Sequence, residues 1–221
     1  MAVMPPERND ALPAGIYPEW ALIGPALATI VGVFLVTGVY RGDWISPIQM
    51  ELDMSSQAFL LEGVVTYLIA AAIAFPPGYL LCARFLTPAI TSAIGVMLIG
   101  VLIVAFGGGA GTLLIGRVLG GLGAGAALGV TTALVRSIRR GRGIATAAVS
   151  AAGVVTVLVA PFAGQLISDA LSFRLVYLAA VPFLLVALLA ATVSGIALVM
   201  ARRSAPPVPY GMPYPSPEYR H

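Results

Sequence analysis

The segment GRVLGGLGAGAALG, residues 116–129, lies inside an apolar run that extends from about Thr112 to Val135. A run of this length is enough for an α-helix to cross roughly 30 Å of hydrocarbon. The run carries one permanent charge, Arg117, and five of the next twelve residues are glycine. The segment therefore predicts a membrane-spanning helix with a surface of small residues. It also raises the question of which groups stabilise the charge of Arg117 inside the membrane.

The composition of the whole 221-residue chain also indicates a membrane protein. Hydrophobic residues make up 59% of the chain and charged residues only 10%, whereas soluble domains carry about 25% charged residues. The mean hydropathy is +0.98. There is too little polar surface to cover a globule in water, so we predict an integral membrane protein that contacts the lipid bilayer.

Several classes of function are excluded by the residue inventory. The chain has one cysteine, Cys82, and one histidine, His221. An intrachain disulfide, a Cys/His metal cluster and a histidine-dependent catalytic triad are therefore ruled out. The net charge of +3 is too small to argue for nucleic-acid binding. We expect no enzymatic activity, no metal, no cofactor and no nucleic-acid partner.

Six apolar segments of about 18 to 26 residues are long enough to span a bilayer as helices. They are residues 20–40, 57–81, 89–106, 112–135, 144–167 and 175–200. With both termini in the cytoplasm, nine arginines lie on the inner side and two, Arg41 and Arg174, lie outside. Because cytoplasmic loops carry an excess of arginine, we predict this orientation for a multi-pass protein of the inner membrane of a bacterium.

The two ends of the chain differ from the membrane region in composition. We divide the chain into a proline-containing N-terminal segment (1–19), a six-helix membrane domain (20–203) and a tail rich in proline and tyrosine (204–221). Proline at the density of the tail prevents helix formation and favours polyproline II. The tail is either a disordered cytoplasmic segment or a strap that docks on a partner protein.

Four motifs in the same order as in a known family carry a resemblance. The stretch "PIQMELDMSSQAFLLEGVVTYLIAAAIAFPPGYL" (47–80) resembles the junction of helices 1 and 2 in the major facilitator superfamily, with Thr66-Tyr67-Leu68 as its core. Arg117 and the small residues after it resemble the helix 4 signature, and "APFAGQL" (160–166) and "SFRLVYLAAVPF" (172–183) resemble motifs of helices 5 and 6. The resemblance implies half of that twelve-helix fold, namely two inverted three-helix repeats.

The chain also departs from the pattern of that family. In "GYLLCARFLTP" (78–88), Cys82 stands where the family's loop between helices 2 and 3 has an aspartate. The segment "VGVFLVTGV" (31–39) lacks the acidic residue that proton-coupled drug exporters often carry in helix 1. The chain also has one six-helix half rather than two. The altered loop and the missing acidic residue favour a non-transporting subunit of a larger complex, and the single half indicates that the chain works with another polypeptide.

Glu62 is the predicted partner of Arg117 at similar depth in the bilayer. A charge at that depth costs roughly 2.5–3.5 kcal/mol unless it faces polar groups. Glu62 lies in the second segment with Thr66 one turn away. One reading is a binding surface for substrate and proton, formed by Arg117, Glu62, Thr66 and Tyr67 with Arg41 and Asp43 at the outer mouth. The other reading is an ion pair that only fixes helix packing.

The glycines of the fourth segment are predicted to mediate packing between helices. Gly121, Gly125 and Gly129 recur every four residues on one face, and Gly116 and Gly120 form a second pair. Small residues let helix backbones approach closely, which drives association in lipid. A homodimer interface along this face is the alternative. In the fifth segment, Pro161 with Gly153 and Gly164 is expected to permit a bend, which serves either gating or shape.

Two functions remain open on the sequence alone. The first is a half-size transporter that forms a pathway for a small solute, coupled to protons, together with a second copy or a related half. The second is a scaffold or accessory subunit of a larger membrane complex, docked through its polar face and its proline-rich tail. Both require a partner chain, because one half provides only one wall of a cavity.

Overall fold

The computed structural model describes residues 19–38, 49, 53, 55–138, 142–170 and 172–203, without the side chains at 83–84, 168–170 and 201–203. Within these residues the chain is helical and contains no strand. Six of its helices are long and apolar enough to cross a membrane: span 1, Glu19–Thr37; span 2, Ser56–Cys82; span 3, Phe85–Phe106; span 4, Ala110–Ser137; span 5, Arg142–Ile167; and span 6, Phe173–Met200. The predicted all-helical architecture with six candidate spans is confirmed.

The helix bounds show how the spans are connected. The helices are a 3₁₀ turn Glu19–Leu22 followed by α1, Ile23–Thr37; α2, Ser56–Ala58, followed by a π-helix, Phe59–Val65; α3, Thr66–Phe106; α4, Ala110–Ser137; α5, Arg142–Ala170; and α6, Phe173–Arg203. Spans 2 and 3 share α3, whose one residue with non-helical angles is Phe85 (φ −135°, ψ 56°). The turn between these two spans is therefore made without an extended loop.

Spans 1 and 4 form an antiparallel pair at the centre of the bundle. Gly32 of span 1 lies against Ala124 of span 4, and the hydroxyl oxygens of Thr29 and Thr131 are 3.0 Å apart. Span 4 has the largest buried share of the six, 61%. The central pair therefore places Arg117, in the first third of span 4, next to the C-terminal end of span 1.

The other spans surround this central pair. Span 4 packs against spans 2 and 3, while span 1 packs against spans 5 and 6. Span 3 also contacts span 6, where Gly195 lies against Thr87. Span 5 has the smallest buried share, 6%, and span 2 has the next smallest, 22%. Spans 2 and 5 are thus the two helices that the chain itself covers least.

Candidate functional site

Arg117 lies deep inside the bundle, with 2% of its surface exposed. Its Nη1 donates a hydrogen bond of 2.7 Å to the carbonyl oxygen of Leu35 in span 1. Leu35 is one of the last four residues of α1, which ends at Thr37. The backbone carbonyl groups of these last four residues accept no hydrogen bond from within the helix. Because the negative end of the helix dipole lies there, the guanidinium of Arg117 caps the C terminus of α1.

Two tyrosine rings contact the same guanidinium. The Cζ atom of Arg117 is 5.8 Å from the ring centroid of Tyr67 and 5.3 Å from that of Tyr177. Both distances are within the roughly 6 Å range of cation–π attraction. The Tyr67 hydroxyl also donates a hydrogen bond of 2.8 Å to the carbonyl oxygen of Gly32. We call Arg117, Tyr67, Tyr177 and Leu35 the Arg117 cluster; it joins spans 1, 2, 4 and 6.

The Arg117 cluster does not include Glu62. Within the described residues, Arg117 donates to the Leu35 carbonyl, and its Nε and Nη2 atoms have no hydrogen-bond partner. The predicted ion pair with Glu62 is therefore wrong. The two residues lie near the same end of the bundle, as predicted, but equal depth does not determine which way each side chain points around its helix. A helix terminus and two aromatic faces take the role that was predicted for a carboxylate.

The contacts of Arg117 offset part of the cost of its burial. Placing arginine in the membrane interior costs about 2.5–3.5 kcal/mol on insertion scales. A hydrogen bond to a charged group contributes about 1.5–3 kcal/mol, and each cation–π contact contributes about 0.5–2 kcal/mol. The buried Nε and Nη2 atoms, which have no partner among the described residues, each add about 1–3 kcal/mol to the cost, so the contacts lower this cost without a carboxylate.

Glu62 and Thr66 lie in and directly after the π-helix Phe59–Val65 of span 2. The Thr66 hydroxyl donates a hydrogen bond of 2.8 Å to the carbonyl oxygen of Leu61, five residues earlier. Single π-turns inside α-helices are frequent at functional sites. Glu62 is half-buried, whereas Arg117 is 2% exposed. Arg41 and Asp43 lie outside the described residues.

The glycines of span 4 lie against two different neighbouring helices. A Cβ atom added at Gly121, Gly125 or Gly129 would overlap the backbone of span 2 at Tyr67, Ala71 or Phe75. Gly116 lies against Gly100 and Val104 of span 3, and Gly120 lies against both Gly100 and the ring of Tyr67. Both glycine faces are therefore occupied by the chain's own helices, as the packing interpretation predicted.

The predicted bend residues of span 5 have different surroundings. A Cβ atom at Gly164 would overlap the carbonyl group of Gly38, so span 5 approaches the end of span 1 closely at this point. Gly153 has nothing within 4 Å of such an atom, and the helix continues through Pro161. The close approach of spans 1 and 5 at Gly164 is the one contact in this group that requires glycine.

A cavity of about 420 Å³ lies between spans 1, 5 and 6. Its lining is apolar except for Thr156, whose hydroxyl donates to the Ala152 carbonyl at 2.8 Å. The cavity therefore offers contacts to apolar groups and no charge. Within the described residues there is also no group of three or more His, Cys, Asp or Glu side chains placed to hold a metal ion.

Sequence reasoning missed two members of the Arg117 cluster. Tyr177 is an aromatic residue with a polar tip near the beginning of span 6, at the end of the bundle where span 4 also begins, and this shared depth was the available signal. The role of the Leu35 carbonyl could not be predicted from the sequence, because every residue has a backbone carbonyl group and the residue type does not single one out. The cluster can hold a positive charge between four helices.

The two tyrosines of the cluster provide a matched pair of substitutions. Tyr67→Phe is expected to lower the free energy of unfolding by about 1 kcal/mol, because it removes a buried hydrogen bond to Gly32 but keeps the ring beside Arg117. Tyr177→Phe is expected to lower the free energy of unfolding by less than Tyr67→Phe, because the Tyr177 hydroxyl makes no hydrogen bond of good geometry among the described residues and interacts only with the nearby guanidinium of Arg117. Unfolding in mixed micelles would measure both, and equal losses would contradict the assignment.

No protein-family model matches this chain, and no curated protein matches it.

Proposed function

We propose that the chain is one half of a facilitator-type membrane assembly and works with a second copy or with a related membrane subunit. In this proposal it resembles the N-terminal half of the major facilitator superfamily, with two inverted three-helix repeats. Both termini lie in the cytoplasm of a bacterium whose inner membrane holds the protein, as the arginine distribution predicts. The assembly moves a small, amphipathic or anionic solute through a pathway between the halves.

The observation that carries this proposal is the symmetry of the helix contacts. When spans 1, 2 and 3 are exchanged with spans 4, 5 and 6, the main pairs of packed spans are replaced by other packed pairs, although span 4 contacts spans 2 and 3 more extensively than span 1 contacts spans 5 and 6. The contact between spans 2 and 4 corresponds to the contact between spans 5 and 1. The contact between spans 3 and 4 corresponds to the contact between spans 6 and 1. The contact between spans 3 and 6 and the contact between spans 1 and 4 each correspond to themselves. Such an exchange is what an inverted repeat produces.

The exposure of spans 2 and 5 supports a partner on one face of the bundle. These two spans correspond under the exchange, and they have the two smallest buried shares, 22% and 6%. A second half that covered both of them would complete a two-half assembly. Glu62 of span 2, which is half-buried, would then line the contact between the halves and provide a protonatable group for coupling.

Cross-linking between single cysteines tests the arrangement of the two halves. In a Cys82→Ala background, Leu158→Cys of span 5 and Ile73→Cys of span 2 are expected to form cross-linked dimers in native membranes. Ile99→Cys of span 3 is the matched control, since the three side chains have similar exposure of 62%, 65% and 54%. Equal yields at all three positions would show random collision and contradict the proposal.

Mass measurement and flux extend this test to a partner of different sequence. In mild detergent, the proposal requires a dimer or a complex with another subunit; a chain that remains a monomer in bilayers overturns it. In proteoliposomes that contain the intact assembly, Glu62→Gln is expected to abolish the pH dependence of solute flux. Unchanged flux in this variant would remove the coupling role from Glu62.

A scaffold or accessory subunit is the second candidate, and one observation favours it. Arg117, the charge expected to line an open polar surface, is enclosed by the chain's own helices with 2% exposure. The chain then supplies structure to a larger complex without moving a solute. A purified assembly of several subunits, with no solute flux in vesicles, would support this candidate over transport.

A further inference from the structure

A cleft with a basic end lies between the last turns of span 4 and the first turns of span 5. It has a volume of about 250 Å³, and its lining includes Arg136, Arg142, Thr146, Ser150 and Leu128. We call it the 4/5 cleft. It lies at the opposite end of spans 4 and 5 from the Arg117 cluster, and the proposed transport role does not use it.

The two arginines of the 4/5 cleft are placed to bind an anion. The Nη1 atom of Arg136 donates to the Tyr79 hydroxyl at 3.1 Å, and its Cζ atom lies 5.5 Å from the centre of the Tyr79 ring. These contacts orient the guanidinium and leave further N–H groups for a ligand. Arg142 is the first described residue of α5, and its guanidinium provides the second positive charge of the cleft.

The residues that the structure describes provide no acidic partner that neutralises this charge. Four arginines lie within residues 136–142, and no aspartate or glutamate occurs between Glu62 and Asp169. Among the residues that the structure describes, no carboxylate forms an ion pair with Arg136 or Arg142. The counter-charge for this end of the bundle must therefore come from another part of the chain or from another molecule.

The shape of the 4/5 cleft matches an amphiphile rather than a free anion. From Arg136 the lining continues along span 4 to Leu128, eight residues deeper, which is about 12 Å along a helix. Leu128 is 43% exposed within a span that is long and apolar enough to cross the bilayer. The cleft is thus cationic at the end of the helices and uncharged toward the hydrocarbon, where Leu128 lies near the hydroxyl groups of Thr131, Thr132 and Ser150.

We propose that the 4/5 cleft binds an anionic phospholipid from the surrounding bilayer. The phosphate accepts hydrogen bonds from Arg136 and Arg142, whose planar guanidinium groups suit phosphate oxygens. The hydroxyl of Ser150 lies in the same cleft, but it is eight residues along span 5 from Arg142, which is about 12 Å from the bound phosphate group. An acyl chain lies along Leu128 toward the membrane interior. The lipid thereby neutralises the junction of spans 4 and 5 and ties the weakly buried span 5 to the bundle.

Lipid titration of the purified full chain in detergent tests this proposal. Thermal unfolding and native mass spectrometry would report binding of phosphatidylglycerol, with phosphatidylcholine, diacylglycerol and inorganic phosphate as the other ligands. Phosphatidylglycerol is expected to bind most tightly. Since each basic residue near a membrane surface contributes about 1 kcal/mol, Arg136→Gln and Arg142→Gln are each expected to weaken binding about fivefold, and the double variant about 25-fold.

Arg174→Gln is the control, because it removes one positive charge at the opposite end of the bundle. Binding by this variant is expected to equal that of the unaltered chain. An equal loss in Arg174→Gln, or equal affinity for phosphatidylcholine, would show that no headgroup is recognised and would overturn the proposal. Equal stabilisation by inorganic phosphate would identify a soluble anion as the ligand. If binding occurred only after deletion of residues 204–221, the tail would be the occupant instead.

Discussion

Replacing Arg117 with alanine is expected to lower the free energy of unfolding by about 3–5 kcal/mol. The substitution removes the hydrogen bond to the Leu35 carbonyl and both contacts with tyrosine rings. It also leaves a void where spans 1, 2, 4 and 6 meet, and protein interiors relax into such voids only in part. Reversible unfolding in mixed micelles, with helix content as the signal, would measure the loss.

Two further substitutions separate the causes of this loss. Arg117→Met fills most of the same volume without a charge, so its loss is expected to be within about 2 kcal/mol, because the cost of burying a charge disappears together with the contacts. Arg174→Ala removes an arginine near the same end of the bundle, outside the Arg117 cluster, and is expected to lower the free energy of unfolding by less than Arg117→Ala. An Arg117→Ala variant as stable as the unaltered chain would show that the cluster does not hold the helices together.

Gly125→Ala is expected to lower the free energy of unfolding by about 3 kcal/mol, near the upper end of usual overpacking effects. A Cβ atom at Gly125 would overlap the backbone of Ala71, and backbone atoms do not move aside as the end of a flexible side chain does. Spans 2 and 4 would have to separate, and the contacts of Gly121 and Gly129 with span 2 would be weakened as well. The same unfolding measurement, or the yield of folded protein from membranes, would report the effect.

Gly153→Ala is the matched control for Gly125→Ala. Nothing lies within 4 Å of a Cβ atom at Gly153, and alanine is favoured over glycine inside a helix by about 0.5–1 kcal/mol. We therefore expect this variant to be as stable as the unaltered chain or slightly more stable. If the two glycine variants lost the same stability, close packing of spans 2 and 4 would not be the reason for the glycines.

The positions of the membrane spans follow from hydropathy because each residue contributes to transfer into lipid independently of its neighbours. The predicted segment 57–81 corresponds to Ser56–Cys82, and 112–135 corresponds to Ala110–Ser137. The third span begins at Phe85 rather than near residue 89. Pro88 lies inside α3, and proline is accepted in the first turn of a helix, where its missing N–H group has no partner to lose.

The side-chain partners inside the bundle could not be predicted in the same way. The four-residue spacing of Gly121, Gly125 and Gly129 predicts a close helix contact, because it follows from one helix alone. That span 2 is the neighbour depends on tertiary structure. The same limit explains why the predicted ion pair between Glu62 and Arg117 was wrong. The depth of a residue along a helix can be counted from the sequence, but the direction of its side chain around the bundle depends on how all six helices pack.

The connection between spans 2 and 3 has a mechanical consequence. Phe85 is the one residue with non-helical angles in α3, Thr66–Phe106, so spans 2 and 3 are connected directly, without a flexible loop between them. A tilt of span 2 would therefore shift the beginning of span 3. Thr87 lies there against Gly195 of span 6, so the packing of spans 3 and 6 would have to adjust as well.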